Sequence, residues 1–256
     1  MSRTREWLVG VNSVRGVLEN DADHVEELVL DESSTNRRVN ELLELAQQAA
    51  IPVRTSKKSR LDQLSEGRPH QGVAARYRAP GVLTLAQLEE LIARDSQSTL
   101  LLMLDGIEDP RNLGAMLRTA ECAGATAVVV PKHRATSLTA VARKAASGAA
   151  ERLPLVQCPN LARAMDAVKS WGIWCYGLAG EANRSLYAVD LTGPAALVMG
   201  SEGSGLRPVV RKACDELVSI PMAGTVGSLN VGAAAAIGLF EVVRQRSVPR
   251  QQQAGN

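Results

Sequence analysis

Hydrophobic positions follow a regular pattern over the C-terminal two thirds of the chain, where near-continuous apolar runs alternate with segments of helical periodicity. The apolar runs lie at 100–104, 127–130, 155–158, 173–178, 195–199 and 217–220. The helical segments lie at 113–124, 138–150, 161–171, 208–214 and 229–246. Strands that are buried on both faces have this composition, so the pattern predicts an α/β domain with a parallel sheet.

The first 80 residues have a shorter and more mixed pattern, which predicts a small separate α/β unit. Its predicted strands lie at 25–30, 51–55 and 72–77, and its predicted helices lie at 12–19, around 42–46 and at 61–64. Ala79-Pro80-Gly81 then interrupts the chain, and 85–94 has the pattern of an amphipathic connecting helix. We therefore expect an N-terminal domain at 1–80, a linker at 81–98, a second domain at 99–247 and a disordered tail at 248–256.

Composition narrows the class of protein. The chain has 256 residues, of which 45% are hydrophobic and 22% charged, as in ordinary globular proteins. No apolar run approaches the roughly 18 residues of a membrane helix, and the N-terminus lacks a signal-peptide pattern, so we expect a cytoplasmic protein. Its four cysteines (Cys122, Cys158, Cys175, Cys214) are scattered and its histidines lie far apart, which predicts reduced core cysteines and no bound metal.

Charge is distributed unevenly along the chain. The net charge is only +2, but the segment 51–78 contains seven basic residues and two acidic ones. A local basic patch of this kind can follow a phosphate backbone, although it can equally be a solvated surface. Aromatic residues make up only 3% of the chain, which argues against base-stacking platforms of several aromatic rings, of the kind that single-strand binders use.

Three loops that follow predicted strands carry candidate chemistry, because ligands of open α/β sheets bind at the carboxyl ends of the strands. In the first loop, Asp109-Pro110 begins a helix whose first turn contains Asn112 and Gly114. Arg111 and Arg118 lie seven residues apart and therefore near one face of that helix. Taken alone, these features also describe a well-capped surface helix.

The second loop, G-S-E-G-S-G at 200–205, resembles a nucleotide-binding turn but matches neither the P-loop nor the dinucleotide fingerprint. Glu202 within it would repel phosphates, which suggests a ligand other than a polyphosphate. The third loop runs from Ile220 to Ser228, Leu229 and Asn230 before a helix rich in Gly and Ala. Ser228 or Asn230 could simply cap that helix.

Together the three loops resemble the SpoU/TrmH family of the SPOUT methyltransferase superfamily. The matching motifs are N-L-G-A-M-L-R-T at 112–119, L-V-M-G-S-E-G-S-G-L at 197–206 and I-P-M-A-G-T-V-G-S-L-N-V at 220–231. The resemblance spans about 100–246. It implies a parallel sheet with a deep trefoil knot, S-adenosylmethionine bound in the knot, and two subunits that pair to complete each site.

The resemblance also implies which residues form the site. Gly200, Ile220 and Leu229 match positions of the cofactor pocket. The positions matched to catalysis are Asn112, Arg118, Glu202, Ser228 and Asn230. Family proposals often make the arginine that matches Arg118 the general base, but a guanidinium is protonated at physiological pH. A phosphate clamp that stabilises the developing alkoxide is an equally physical role, and Glu202 could orient Arg118 or its own loop.

The N-terminal region bears on the substrate. The stretches V-G-V-N-S-V-R-G-V-L-E at 9–19 and H-Q-G-V-A-A at 70–75 resemble the L30e-like, RNA-binding domain of bacterial enzymes that methylate a guanosine ribose in 23S rRNA. Relatives that act on tRNA usually lack this domain, so the resemblance implies 2′-O-methylation of a 23S rRNA guanosine.

Three alternatives remain open from the sequence. The same reaction could act on tRNA or on another rRNA nucleotide, including an adenosine, as in some antibiotic-resistance relatives. The chain could instead be a non-catalytic RNA-binding or ribosome-assembly protein, although all five polar motif residues are intact. A nucleotide-dependent oxidoreductase is disfavoured because no glycine fingerprint follows the first strand of the second domain.

Overall fold

The computed structural model of the chain describes residues 3–34, 36–132, 138–225 and 227–247. These residues form two units, one comprising Met1–Gly81 with Leu138–Arg152 and the other comprising Val82–Ser137 with Leu153–Asn256. The predicted disordered tail at 248–256 lies outside the described residues. No helix among the described residues is long and apolar enough to span a membrane.

Helices and strands alternate along most of the chain. In order, the strands are β1 (Arg3–Val9), β2 (Val25–Asp31), β3 (Val53–Ser56), β4 (Val73–Pro80), β5 (Leu100–Asp105), β6 (Ala127–Pro131), β7 (Leu155–Cys158), β8 (Trp174–Leu178), β9 (Arg184–Ser185), β10 (Ala195–Gly200) and β11 (Glu216–Ser219). The helices are α1 (Val11–Asn20), α2 (Arg37–Gln48), α3 (Lys58–Ser65), α4 (Leu85–Ile92), α5 (Pro110–Cys122), α6 (Ala140–Ala146), α7 (Ala149–Arg152), α8 (Leu161–Ser170), α9 (Pro208–Ala213) and α10 (Val231–Ser247).

The first unit contains a four-stranded sheet in the order β1-β4-β2-β3, in which β4 is antiparallel to β1 and β2, and β2 is parallel to β3. On one face, α1 and α2 bury their apolar sides against the sheet around Leu28 and Tyr77. On the other face, Leu61 of α3 packs on Val29 and Ala74. Strand β1 was not among the predicted strands, because four of its seven residues are charged or polar. All seven of its residues pair with β4, and this pairing stabilises a strand whose own composition does not favour one.

The motif at 70–75 has a structural function in the turn before β4. The Gln71 side chain accepts a hydrogen bond from the Val11 amide at 3.0 Å, which caps the first turn of α1 where Gly10 has no side chain to do so. His70 Nδ1 accepts from the Gly72 amide at 3.0 Å. Gly72 has a φ of +82°, and a Cβ added there would lie 3.1 Å from Ser34 Oγ. A glycine is therefore needed at this position.

The second unit confirms the predicted parallel sheet. Seven strands lie in the order β7-β6-β5-β10-β8-β11-β9, and each strand is parallel to its neighbours. Alternate side chains of β5 and β10, such as Met103 and Val198, pack against α4, α8 and α9 on one face. Helices α5 and α10 pack against each other, and α10 contacts β10 beneath it. The strands are buried on both faces, as their continuous apolar runs indicated.

Helix α10 is anchored at its C-terminal end by Arg246. The guanidinium of Arg246 donates hydrogen bonds to the carbonyl oxygens of Ser98 (2.7 Å), Thr99 (3.1 Å) and Gly193 (2.7 Å), at the start of β5 and just before β10. Burial lowers the pKa of Arg246 below its ordinary value. The last helix is thereby held against the edge of the sheet where the central strands begin.

The division into units differs from the predicted domain boundaries in two places. The segment predicted as one helix at 138–150 consists of α6 and α7, separated by Ser147 and Gly148, which both have positive φ. These helices belong to the first unit, where the Arg143 guanidinium lies 5.4 Å from the Tyr77 ring and 3.5 Å from the Glu6 carboxylate. The predicted linker contains α4, which belongs to the second unit because Leu88 and Ile92 are buried in its core.

The four cysteines differ in exposure, and the prediction that all of them are core residues is wrong for one. Cys158 and Cys175 are buried and Cys214 is half-buried, whereas Cys122 is exposed at the last position of α5. Burial raises the pKa of Cys158 and Cys214 to about 11 and that of Cys175 to about 12. Cys158 and Cys175 lie in the buried strands β7 and β8, whereas Cys122 is the last residue of the amphipathic helix α5.

We expect iodoacetamide at about pH 8 to alkylate Cys122 first in the folded protein, because the other three thiols are shielded and hold their protons more strongly. Peptide mass spectrometry after a short exposure should find one modified cysteine. A Cys122→Ser variant is the control and should stay unmodified until urea is added. Equal labelling of all four cysteines in the native protein would contradict the structure.

Candidate functional site

The site lies at the carboxyl ends of β5 and β10, which are neighbours in the sheet although four strands separate them along the chain. Their parallel register places Gly200 opposite Asp105. From β5 the chain proceeds outward through β6 and β7, and the later strands lie on the other side of β5. This reversal is a topological switch point, where open α/β sheets form ligand crevices.

The loop after β10 is a tight turn that requires glycine. Ser201 and Gly205 exchange two backbone hydrogen bonds of 3.1 and 3.0 Å, and Gly203 and Gly205 have φ values of +93° and +66°. A Cβ added to Gly200 would lie 2.0 Å from the carbonyl carbon of Gly205 and 2.3 Å from the Leu206 amide nitrogen. Gly200 thus lets the backbone of the turn fold directly back over the end of β10.

Three of the five residues predicted for catalysis come together at this edge of the sheet. Asn112 Nδ2 donates to Glu202 Oε2 at 3.1 Å, and Asn230 Nδ2 donates to Asn112 Oδ1 at 3.3 Å and to Glu202 Oε1 at 3.4 Å. Asn112 is in the first turn of α5, Glu202 is in the loop after β10, and Asn230 immediately precedes α10. Each of the three predicted loops therefore supplies one member of this polar triad.

The direction of the hydrogen bonds in the triad is set by the cap of α10. Asn230 Oδ1 accepts from the backbone amides of Gly232 (2.9 Å) and Ala233 (3.3 Å), so its Nδ2 must point away from the helix. Asn230 can then only donate to Asn112 Oδ1, and Asn112 in turn presents its Nδ2 to Glu202. Both oxygens of Glu202 accept a hydrogen bond, which holds the carboxylate in one orientation.

A cavity of about 590 Å³ lies on one side of the triad and contains all three residues predicted to bind a cofactor. Gly200, Ile220 and Leu229 line it, together with Glu202 and Ser228. The walls come mainly from the loops that follow β8, β10 and β11. This volume is in the range that holds a small ligand or cofactor. The carboxylate of Glu202 on the wall favours a cationic ligand over a polyphosphate.

A second cavity, of about 490 Å³, lies on the other side of the triad. It is lined by the segment after β5, by Asn112 and by Arg207, and it shares Ser201, Glu202, Ser204 and Val231 with the first cavity. Glu202 is thus at the boundary between two adjoining cavities. Such a boundary suits a reaction that transfers a group between two bound molecules.

The structure separates the other two predicted catalytic residues from the triad. Ser228 is exposed on the wall of the 590 Å³ cavity. Arg118 is exposed on α5, where it follows Asn112 by six residues, so that the two side chains are about 120° apart around the helix axis. It does not line either of the two cavities described. Any role for Arg118 in chemistry at this site must therefore come from outside the two cavity walls.

An ion pair that the sequence did not reveal holds the second loop to β5. The carboxylate of buried Asp105 accepts from the Arg207 backbone amide at 2.9 Å, from Nε at 2.6 Å and from Nη2 at 2.5 Å. Arg207 immediately precedes α9 and ends the loop that contains Glu202. The only sequence signal is an aspartate at the end of an apolar strand, and its partner lies 102 residues away. Periodicity cannot detect such a pair.

Two family models match the chain in consecutive segments. The SpoU rRNA Methylase family matches residues 99–240. The family of RNA 2′-O ribose methyltransferase substrate-binding domains matches residues 7–82. The first match includes both cavities and the triad, and the second covers most of the four-stranded sheet of the first unit.

Individual proteins of known name are also similar to this chain over nearly its full length. A 23S rRNA (guanosine-2′-O-)-methyltransferase RlmB from Xanthomonas campestris pv. campestris is 48% identical over 246 residues, which cover 96% of this chain and 99% of the relative. An RlmB from Xylella fastidiosa is 46% identical over 97% of this chain and 100% of the relative. The structure of the SpoU methyltransferase AviRb from Streptomyces viridochromogenes in complex with AdoMet is 26% identical, with a TM-score of 0.71 over 96% of this chain and 91% of that one.

Replacing Asp105 with alanine should lower the free energy of unfolding of the second unit by about 2 to 3 kcal/mol, because Arg207 loses a buried partner but can still reach water. Urea unfolding followed by tryptophan emission measures this change, since Trp171 and Trp174 both belong to the second unit. Glu216→Ala is the control: it removes a partly exposed ion pair to Arg184 and should cost less than about 1 kcal/mol. Equal losses in the two variants would show that the Asp105 pair has no special role.

Proposed function

This chain belongs to the SpoU rRNA methylase family, and we propose that it transfers a methyl group from S-adenosylmethionine to the 2′-hydroxyl of a guanosine in 23S rRNA. The observation that carries the proposal is the polar triad at the boundary of two adjoining cavities, one of the right size for the cofactor and one open for the acceptor. The named relatives cover nearly the full length of the chain and are rRNA methyltransferases by name. Such a substrate places the protein in the cytoplasm.

The 590 Å³ cavity fits S-adenosylmethionine by its size and by the groups that it presents. Gly200 lets the turn at 201–205 fold back to form one wall, and Ile220 and Leu229 supply apolar walls. Glu202 is an anionic group beside which a sulfonium is favoured. When bound, the cofactor supplies an electrophilic methyl group on its sulfonium.

The residues of the triad then have the task of preparing the acceptor. A ribose hydroxyl is a weak nucleophile, so it must be aligned with the methyl group and its proton must find an acceptor. Glu202 faces both cavities and can accept a hydrogen bond from the hydroxyl. Asn112 and Asn230 hold the Glu202 carboxylate in place by donating to both of its oxygens. Ser228 lies on the cofactor side, where its hydroxyl can donate a hydrogen bond to the ligand.

Arg118 is assigned to the site of a second copy of the chain, so that the functional protein is a homodimer. The resemblance to the family implies paired subunits, and Arg118 belongs to a family motif although it lies on an exposed part of α5 outside both cavities. A guanidinium retains its proton, so its role is to bind a phosphate and stabilise alkoxide charge rather than to act as a base.

Mixing two inactive variants tests the shared site. Arg118→Ala and Glu202→Ala should each be nearly inactive, and co-refolding them in equal amounts should restore about a quarter of wild-type activity. Half of the dimers are then mixed, and each mixed dimer has one intact site of two. Activity that stays at the level of the single variants, in a protein shown to be dimeric by light scattering, would place Arg118 in the site of its own chain.

The reaction itself is tested with labelled S-adenosylmethionine and 23S rRNA from a strain that lacks the methylation. We expect one 2′-O-methylguanosine in the product, mapped by a method sensitive to ribose methylation. Asn112→Ala and Glu202→Ala should reduce kcat by about a hundredfold or more, because they remove groups that align the hydroxyl. Glu216→Gln, which removes a half-buried carboxylate outside both cavities, is the matched control and should retain wild-type kcat.

Three other outcomes would revise the proposal. Transfer to tRNA but not to 23S rRNA would move the substrate and keep the mechanism. A methylated adenosine would change the nucleotide. Binding of S-adenosylmethionine without transfer to any RNA would contradict the catalytic function and favour a binding protein.

A further inference from the structure

Among the described residues of the first unit, one face of the sheet is covered only in part, by the eight-residue helix α3. The uncovered part forms a cavity of about 560 Å³ lined by Trp7, by residues of β2, β3 and β4, and by α3. We call this surface the arginine face, after its five arginines: Arg5, Arg54, Arg60, Arg76 and Arg78. The other face is buried beneath α1 and α2.

A β-bulge in β2 organises the charges on the arginine face. The register between β2 and β4 shifts from Val25 opposite Tyr77 to Glu27 opposite Arg76, so that Glu26 is an extra residue. Successive residues of a regular strand point to opposite faces, but a bulge can turn two consecutive side chains to the same side. Both carboxylates indeed reach Arg76: Glu26 Oε2 lies 3.3 Å from Nε and Glu27 Oε1 lies 3.3 Å from Nη1.

The two carboxylates lie beneath the guanidinium groups. Glu26 also pairs with Arg5 (3.0 Å) and Arg78 (3.1 Å), and Glu27 pairs with Arg54 (3.5 Å). The glutamate side chains are only 18% and 16% exposed, whereas those of Arg5 and Arg54 are 64% and 77% exposed. The hydrogen bond from Arg5, together with the nearby positive charges, lowers the pKa of Glu26. Four arginines thus share two glutamates, and the outer surface that they present is cationic.

Trp7 gives this surface a second property. It packs on the small apolar cluster of Val29, Leu61 and Ala74, and it is half-buried on the cavity wall. Arg60 of α3 lines the same cavity. A concave surface that combines several guanidiniums with an indole ring fits a nucleic acid strand whose phosphates meet the arginines and whose unstacked base meets the ring. A paired helix keeps its bases stacked and would leave Trp7 unused.

We propose that the arginine face binds a single-stranded segment of the RNA substrate, with Arg5, Arg54 and Arg60 contacting phosphates and Trp7 stacking on a base. This inference rests on the proposed function only in taking RNA as the substrate. The proposal also gives a role to the basic stretch 51–78. Its Arg54, Arg60 and Arg76 line the same cavity as Arg5 and Trp7 of β1.

The test measures how tightly the full-length wild-type chain and its variants bind a single-stranded RNA oligonucleotide. The dissociation constant is determined by fluorescence anisotropy between about 50 and 200 mM salt. Arg5→Gln/Arg54→Gln should raise Kd at least about tenfold and reduce the slope of log K against log salt by about 1.4, which is two phosphate contacts on a single strand. Arg37→Gln/Arg163→Gln removes the same charge from two exposed helical positions elsewhere and should leave both quantities unchanged. Trp7→Leu should raise Kd roughly tenfold without changing the salt slope, and Trp7→Phe should restore most of the affinity.

Separate readouts distinguish a failure of this inference from a failure of the proposed function. The arginine variant should keep wild-type affinity for S-adenosylmethionine and a urea midpoint close to that of the wild type, because Arg5 and Arg54 are mostly exposed and Arg76 still pairs with both glutamates. If the wild-type chain methylates RNA but the arginine variant and its control bind the oligonucleotide equally well, the inference is overturned while the function stands. A preference of the wild-type chain for duplex over single-stranded RNA would also overturn it. If the wild-type chain binds the cofactor but no RNA at all, the proposed function and this inference both fail.

Discussion

The direct pairing of β5 with β10 is the constraint on which the site depends. It places Asp105 beside Gly200, and so brings the loop before α5 next to the loop before α9. Two features then secure this arrangement. The Asp105–Arg207 ion pair holds the far end of the Glu202 loop to β5, and the absence of a side chain at Gly200 lets that loop turn back over the strand end. Neither feature would have a purpose if the two strands were not neighbours.

Helix α10 adds the third part of the site, and its cap determines the polarity of the whole triad. The amides at the start of α10 require an acceptor, so Asn230 must turn its oxygen to the helix and its NH₂ group to Asn112 and Glu202. The side chain of Asn230 thus both caps the backbone amides of α10 and orients Glu202. Arg246 fixes the C-terminal end of α10 to the start of the central strands, and Asn230 is at the N-terminal end of the same helix. The helix that carries Asn230 is therefore held to the sheet.

Much of the fold could be predicted because short stretches of sequence indicate its strands and loops. The buried strands of the second unit appear as continuous apolar runs, and the glycine-bearing loops follow them directly. What could not be predicted depends on distant partners. Strand β1 is recognisable only through its pairing with β4, and α6 and α7 pack with the first unit although they follow β6 in the chain. The predicted trefoil knot and the predicted pairing of subunits remain predictions.

The candidate site, too, could be predicted only in part. The motifs gave the positions of Asn112, Glu202 and Asn230, but their mutual hydrogen bonds join residues 90 and 118 positions apart and required the structure. Arg118 belongs to the same motif as Asn112, yet helical geometry turns it away from the two cavities. The β-bulge that turns Glu26 and Glu27 to one face is likewise invisible in the sequence, since it depends on the register with β4.

The central claim is that the cap of α10 orients the triad for catalysis, and the variant Asn230→Asp tests it most directly. Aspartate keeps the oxygen that caps the helix but replaces the NH₂ group with an oxygen facing Glu202 and Asn112. The account predicts near wild-type folding and cofactor affinity with a kcat lowered by about a hundredfold. A wild-type kcat in this variant, with methylated RNA as product, would show that the hydrogen bonds of the triad do not serve the reaction.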